Sequence, residues 1–145
     1  MAEINWSAFT DRGNLLSTVF DSIADATLSA ATTALDNAAN KDTHCLIELN
    51  LGSLNPVAPG YVELYMTKAP DGINYEEAPI IGGTDRNTLI ATIPVPAGTS
   101  TKRIMTGLIS LPPCPVKFYL GNQLNVTTAA SGNTMDVYTA NLTSA

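Results

Sequence analysis

The feature that most constrains the fold is a series of short segments in which apolar and polar residues alternate. In residues 43–51 the odd positions from Cys45 onward are apolar and the even positions are polar, with Leu46 as the exception. Successive side chains on a β-strand point to opposite faces, so this pattern predicts a strand with one buried face.

The same pattern recurs along the chain at intervals of about ten residues. The further strands predicted in this way cover residues 61–67, 89–95, 104–110, 116–120 and 134–142. Proline and glycine separate them, as in Pro70-Asp71-Gly72, where proline fixes φ and glycine accepts a positive φ. No stretch is typical of a crossover helix between parallel strands, which argues against a βαβ fold.

Two hairpins are predicted between neighbouring segments. Residues 27–35, rich in Ala and Thr, are expected to pair with residues 43–51. Residues 124–128 are expected to pair with residues 134–142 around Ser131-Gly132-Asn133. Seven or eight short strands joined in this way predict an all-β fold, an antiparallel β-sandwich of jelly-roll or Ig-like type, or else a barrel.

Residues 1–26 differ from the rest and are predicted to form an N-terminal helical or extended arm, with residues 27–145 as the β-sandwich domain. Apolar residues at three- and four-residue steps favour one face of a helix: Leu15, Leu16, Val19, Phe20 and Ile23. Two alternatives remain for this arm, packing on its own domain or reaching a partner subunit. In the second, removing residues 1–26 is expected to leave a folded β domain.

Charge restricts the partners. Seven Lys and Arg against thirteen Asp and Glu give a formal net charge of −6, and charged residues make up 14% of the chain. Nucleic-acid binding depends largely on basic side chains at phosphates, so no nucleic-acid partner is expected. The acidity and the lack of a long apolar run also argue against a membrane partner. The amino terminus has no secretory pattern, which favours folding in a cytoplasm.

The sequence offers little for catalysis, and no enzyme activity is expected. His44 is the single histidine, and its neighbour Cys45 should point to the opposite strand face. Cys45 and Cys114 have no partner at metal-ligand spacing and are expected to be free. We therefore predict no catalytic residues, no metal site and no cofactor.

A carbohydrate-binding module is a natural alternative for a small sandwich. Tyr61 and Tyr65 would share a strand face, and Tyr119 or Tyr138 could join them as an aromatic platform. Residues four apart on a strand are separated by ~13 Å, however, which is too far for one sugar ring. Half-exposed strand tyrosines are the simpler interpretation.

The order of several segments resembles a family of small β-sandwich proteins of tailed bacteriophages and prophages, among them capsid decoration (cement) proteins. The resemblance spans residues 33–138 and rests mainly on strand and turn signals. The segments that carry it are Ile47-Glu48-Leu49-Asn50-Leu51-Gly52-Ser53-Leu54, Val62-Glu63-Leu64-Tyr65, Asp71-Gly72-Ile73-Asn74-Tyr75, residues 108–113, Val116-Lys117-Phe118-Tyr119-Leu120 and Ala129-Ala130-Ser131-Gly132-Asn133-Thr134.

This resemblance implies a structural virion protein that stabilises the capsid by binding the major capsid protein. It further implies a homo-oligomer, often a trimer, placed on the outer capsid surface and made in the host bacterial cytoplasm. Large apolar residues in the predicted arm are the expected partner-binding residues: Trp6, Phe9, Leu16 and Phe20. The alternative function is a phage tail or head-fibre module that binds host-surface glycans.

Overall fold

The computed structural model describes residues 4–56, 58–81 and 88–144. In this part of the chain the protein is built almost entirely of β-strands, with one short helix. The elements in chain order are β1 (Ile4–Trp6), β2 (Thr10–Asn14), β3 (Thr27–Leu28), α1 (Asn37–Asn40), β4 (His44–Leu51), β5 (Gly60–Lys68), β6 (Leu89–Val95), β7 (Lys102–Met105), β8 (Ile109–Ser110), β9 (Val116–Gln123), β10 (Thr134–Ala140) and β11 (Leu142–Ser144).

Two antiparallel sheets enclose the core. The first sheet has the order β2-β10-β4-β7, with β8 also paired to β4, and the second has the order β3-β9-β5-β6. A separate antiparallel pair joins β1 to β11 near the chain ends. The predicted sandwich is thus confirmed. Inward positions of both sheets form the core, including Ile47, Leu49, Val62, Leu64, Phe118, Leu120, Met135 and Val137.

Both predicted hairpins are wrong. Residues 27–35 instead lie along β9 in the second sheet, where hydrogen bonds hold them. The Leu120 amide donates to the Ser29 hydroxyl oxygen, and the Phe118 amide donates to the Thr32 hydroxyl oxygen, both at 3.0 Å. The Ser29 and Thr32 amides donate in turn to the Leu120 and Phe118 carbonyls. In the first sheet, β10 pairs with β4 and β2 rather than with residues 124–128. Alternation predicts a strand but not its neighbour.

Residues 15–26 form turns rather than the predicted helix. Ser17, Ser22 and Ala26 have positive φ, which a regular right-handed helix excludes. Leu16 and Phe20 are 1% and 0% exposed and belong to the core. They are therefore inaccessible to a partner, contrary to the expectation that they bind one. Strand β2, also part of the predicted arm, is an edge strand of the first sheet. The large apolar residues of the predicted arm that stay exposed, Trp6 and Phe9, lie ahead of β2.

The outer faces of the two sheets differ. The segment after β5 folds back over the second sheet, where the Glu76 amide donates to the Lys68 carbonyl and Lys117 lies 4.3 Å from the Tyr75 ring centre. Tyr65 is fully buried there and donates to Glu63 at 2.6 Å. Tyr65 therefore forms no aromatic platform with Tyr61. The outer face of the first sheet stays open.

No helix in the described residues is long and apolar enough to cross a membrane.

Candidate functional site

A shallow groove of about 290 Å³ lies on the open face of the first sheet. We call it the sheet groove. Its lining residues come from four parts of the chain, namely β4, β7, β10 and the segment before β2. Its lining residues are Phe9, Leu46, Glu48, Arg103, Met105 and Tyr138. At this size it suits one side chain or one sugar unit, because small-molecule pockets usually begin at about 300 Å³.

Strand register brings the lining residues together. Tyr138 in β10 lies opposite Leu46 in β4, and Glu48 lies opposite Met105 in β7. Directly opposed residues in antiparallel strands share a face, so all four side chains project outward. Leu46, the exception to the alternation of residues 43–51, is thus an apolar residue on the solvent side. Its place in the groove accounts for that exception.

An ion pair crosses one end of the sheet groove. The exposed Arg103 guanidinium donates to Glu48 at 2.7 Å, and the Asn50 amide donates to the same carboxylate at 3.2 Å. The hydrogen bond from Arg103 is the main cause that lowers the pKa of Glu48, followed by the bond from Asn50. Glu48 is consequently an anion held in a fixed position beside the apolar lining.

Tyr138 lies among several carboxylates. Its pKa is raised first by burial and then by the negative charges of Glu48, Asp11 and Asp136, while Arg103 acts in the opposite direction. Asp11 is the register partner of Tyr138 on β2, and Asp136 precedes Tyr138 by two residues on the same strand face. The polar side of the sheet groove is therefore acidic.

The apolar surface continues from the groove toward the β1–β11 pair. Trp6 and Phe9 are 47% and 45% exposed, and Met105 and Leu142 are exposed to a similar degree. The Trp6 ring contacts His44 edge-on with centroids 5.1 Å apart. His44 lies two residues before Leu46, on the same face of β4. Leu142 lies opposite Trp6 in the β1–β11 pair. Exposed apolar residues that gather on one face of a protein often mark an interaction site.

The structure separates the four sequence-predicted partner-binding residues into two pairs. Trp6 and Phe9 lie on or beside the sheet groove, whereas Leu16 and Phe20 lie in the core. Leu46 and Met105 were not singled out from the sequence, and Tyr138 was named only as a possible member of an aromatic platform with Tyr61 and Tyr65. The outward Leu46 was the available signal, but its neighbours follow from register, which the sequence does not supply.

No group of three or more His, Cys, Asp and Glu side chains is placed to hold a metal ion within residues 4–56, 58–81 and 88–144. Burial raises the pKa of Cys45 to about 12, so its thiol stays protonated at neutral pH. His44 Nδ1 instead contacts the Thr43 hydroxyl at 2.9 Å.

Comparison with family models and with curated proteins finds no match. Among solved structures, the chain is similar to a carbohydrate-binding module described as "Carbohydrate-Binding Module CBM36 in complex with calcium and xylotriose". The sequence identity is 13%, the TM-score is 0.44, and the alignment covers 98% of this chain and 93% of that one. A similarity at this level does not extend to a shared function.

Proposed function

We propose that this protein is a non-enzymatic binding protein that docks on a larger partner through the open face of its first sheet. The observation that carries the proposal is the sheet groove with its exposed apolar surroundings. Aromatic residues, Met and Arg are enriched at protein interfaces, and here Phe9, Tyr138, Met105 and Arg103 line the groove. The exposed Trp6 contacts His44, which lies on the same face of β4 as Leu46. The opposite sheet is partly covered by its own chain, and we therefore assign docking to the first sheet.

The proposed partner is the major capsid protein of a tailed bacteriophage, bound on the outer capsid surface. The segment resemblance over residues 33–138 supports this choice, and the composition of the sheet groove is compatible with a protein contact. In this proposal the chain acts as a homo-oligomer, with a trimer favoured, and clamps neighbouring shell subunits. Binding would then protect the shell against heat or changes of salt.

The test is co-sedimentation of purified chain with capsids of its source phage that lack it. Phe9→Ala and Tyr138→Ala each remove an aromatic wall of the groove and should weaken binding by about tenfold or more, as at interface hot spots. Ile73→Ala is the matched control, since Ile73 is highly exposed but lies in the turn after β5. Equal binding by all three variants would refute the proposed face.

A second candidate function is glycan binding by a phage tail or head-fibre module. The observation in its favour is that the Phe9 and Tyr138 rings lie beside the fixed Glu48 carboxylate and the Arg103 guanidinium. Aromatic rings can stack on a sugar while such polar groups fix its orientation. A glycan array read with wild type and Tyr138→Ala decides between the two. Saturable, Tyr138-dependent glycan binding without capsid binding would favour this second candidate.

A further inference from the structure

We propose that the sheet groove receives the side chain of an arginine or lysine presented by the protein partner. This inference rests on the proposed docking function and specifies the chemistry of the central contact. It combines two observations, the apolar and aromatic lining of the groove and the surplus of negative charge beside it.

The charge surplus follows from the ion pairs. Asp11, Glu48 and Asp136 all raise the pKa of Tyr138, whereas Arg103 acts on it in the opposite direction. Arg103 is paired with Glu48. Asp11 accepts a hydrogen bond from the Gly13 amide, and neither it nor Asp136 forms an ion pair with any described residue. Two carboxylates thus remain without an ion-pair partner among the described residues.

The apolar and aromatic residues that line the sheet groove suit both the aliphatic stem and the cationic head of an arginine or lysine side chain. Leu46 and Met105 offer apolar surface to an aliphatic stem, since lysine and arginine pack their methylene groups on apolar residues while the charged head stays polar. The Tyr138 and Phe9 rings can attract the cation, because a cation within about 6 Å of an aromatic ring centre is stabilised by the ring quadrupole. A volume of about 290 Å³ accommodates a single side chain.

Charge also selects among occupants. The chain carries a formal net charge of −6, so a second copy would bring a mostly acidic surface to an acidic groove. Complementary potentials favour correct partners, and like charges across an interface disfavour wrong ones. A basic segment of a different protein is therefore the occupant that this face fits.

The direct test is an NMR titration of the ¹⁵N-labelled full chain with N-acetyl-arginine amide and, separately, N-acetyl-lysine amide. N-acetyl-citrulline amide is the uncharged control of nearly the same shape. We expect saturable shifts of amides in β4, β7 and β10 near the groove, with citrulline binding at least about threefold more weakly. The arginine and lysine arms identify which cation fits better.

Charge variants give the matched comparison. Asp136→Asn removes a carboxylate beside Tyr138 and should weaken arginine binding several-fold, whereas Glu77→Gln removes an exposed carboxylate of the segment after β5 and should leave it unchanged. Equal binding of arginine and citrulline, or equal effects of the two variants, would overturn the proposal. If the amide signals near the groove shift as the protein concentration rises without any added ligand, a second copy of the chain is the occupant, and the proposal is overturned.

Capsid binding separates failure of this inference from failure of the proposed function. If capsids bind wild type and Asp136→Asn equally well and arginine leaves the groove amides unshifted, the inference fails and docking stands. If capsids bind neither chain, the docking function fails, and the titration alone decides whether the groove takes a cationic side chain.

Discussion

At the scale of single residues, Thr67 in β5 is a buried hydroxyl whose oxygen has no hydrogen-bond partner among the described residues. Leaving a buried polar group unpaired costs about 1–3 kcal/mol, so Thr67→Val should raise the free energy of unfolding by about 1 kcal/mol. Thr139→Val is the control, because Thr139 accepts a hydrogen bond from Arg12 Nε at 2.8 Å. Urea unfolding should show opposite signs for the two variants, and a loss of stability in both would contradict this assignment.

The pKa of Asp42 predicts how the stability of the fold changes at acidic pH. Burial acts to raise its pKa, but hydrogen bonds from Thr139, Arg12 and Asn141 and the Arg12 charge together hold that pKa below the ordinary 3.8. The unfolded chain therefore binds this proton more readily than the folded one. The resulting stabilisation is present above pH 3.8 and is lost as the pH falls through the lower folded-state pKa.

Asp42→Asn removes this stabilisation and should lower the free energy of unfolding at pH 7 by about 1–3 kcal/mol, the range for hydrogen bonds to charged groups. The deficit should shrink below pH 3.8, where wild type loses the same contribution. Urea unfolding from pH 7 to pH 2.5 measures both curves. A deficit that stays constant down to pH 2.5 would show that the Asp42 charge does not contribute in this way.

At the scale of elements, the structure divides the predicted arm at the start of β2. Removing residues 1–9 deletes β1 and Phe9 and should leave a folded sandwich. Removing residues 1–26 also deletes β2 and three core residues, namely Leu15, Leu16 and Phe20. Since truncating each such side chain costs about 2–5 kcal/mol, their joint loss of about 6–15 kcal/mol is comparable to a typical total stability of about 5–15 kcal/mol.

Circular dichroism and one-dimensional NMR of the two truncated chains check this division. We expect dispersed methyl signals after removal of residues 1–9 and loss of cooperative unfolding after removal of residues 1–26. If the chain without residues 1–26 folds, then these residues are dispensable for the sandwich, as the sequence predicted, and this division is wrong.

Strands whose residue types alternate with few exceptions, such as β4 and β5, could be predicted because a period of two is typical of a strand. The stripe from Leu15 to Ile23 could not be assigned correctly, because the same residues fill a core from a chain of turns as well as from a helix. Trp6 and Phe9 were singled out as large apolar residues of the predicted arm, and both are exposed in the structure. Their role in partner binding stays a prediction. The place of Tyr138 beside Leu46 could not be predicted, since it depends on long-range register.

At the scale of the whole molecule, the outer faces of the two sheets differ. The second sheet is partly covered by its own chain after β5, and the first presents aromatic, aliphatic and acidic groups on one open face. In an acidic chain, docking of this face on a basic partner should weaken as salt increases, because exposed charges are screened within a Debye length of about 8–10 Å. Sedimentation of the chain with capsids at 50 mM and 300 mM NaCl measures that dependence, and stronger binding at high salt would contradict it.

The most direct test of the docking face is oxidative footprinting of the chain, free and bound to capsids, read by mass spectrometry. Met105 and Trp6 report the open face of the first sheet, and Tyr61, equally exposed at the start of β5, reports the second. We expect capsid binding to protect Met105 and Trp6 from oxidation while Tyr61 reacts as in the free chain. Protection of Tyr61 with unchanged oxidation of Met105 and Trp6 would place the contact on the other sheet and contradict the account.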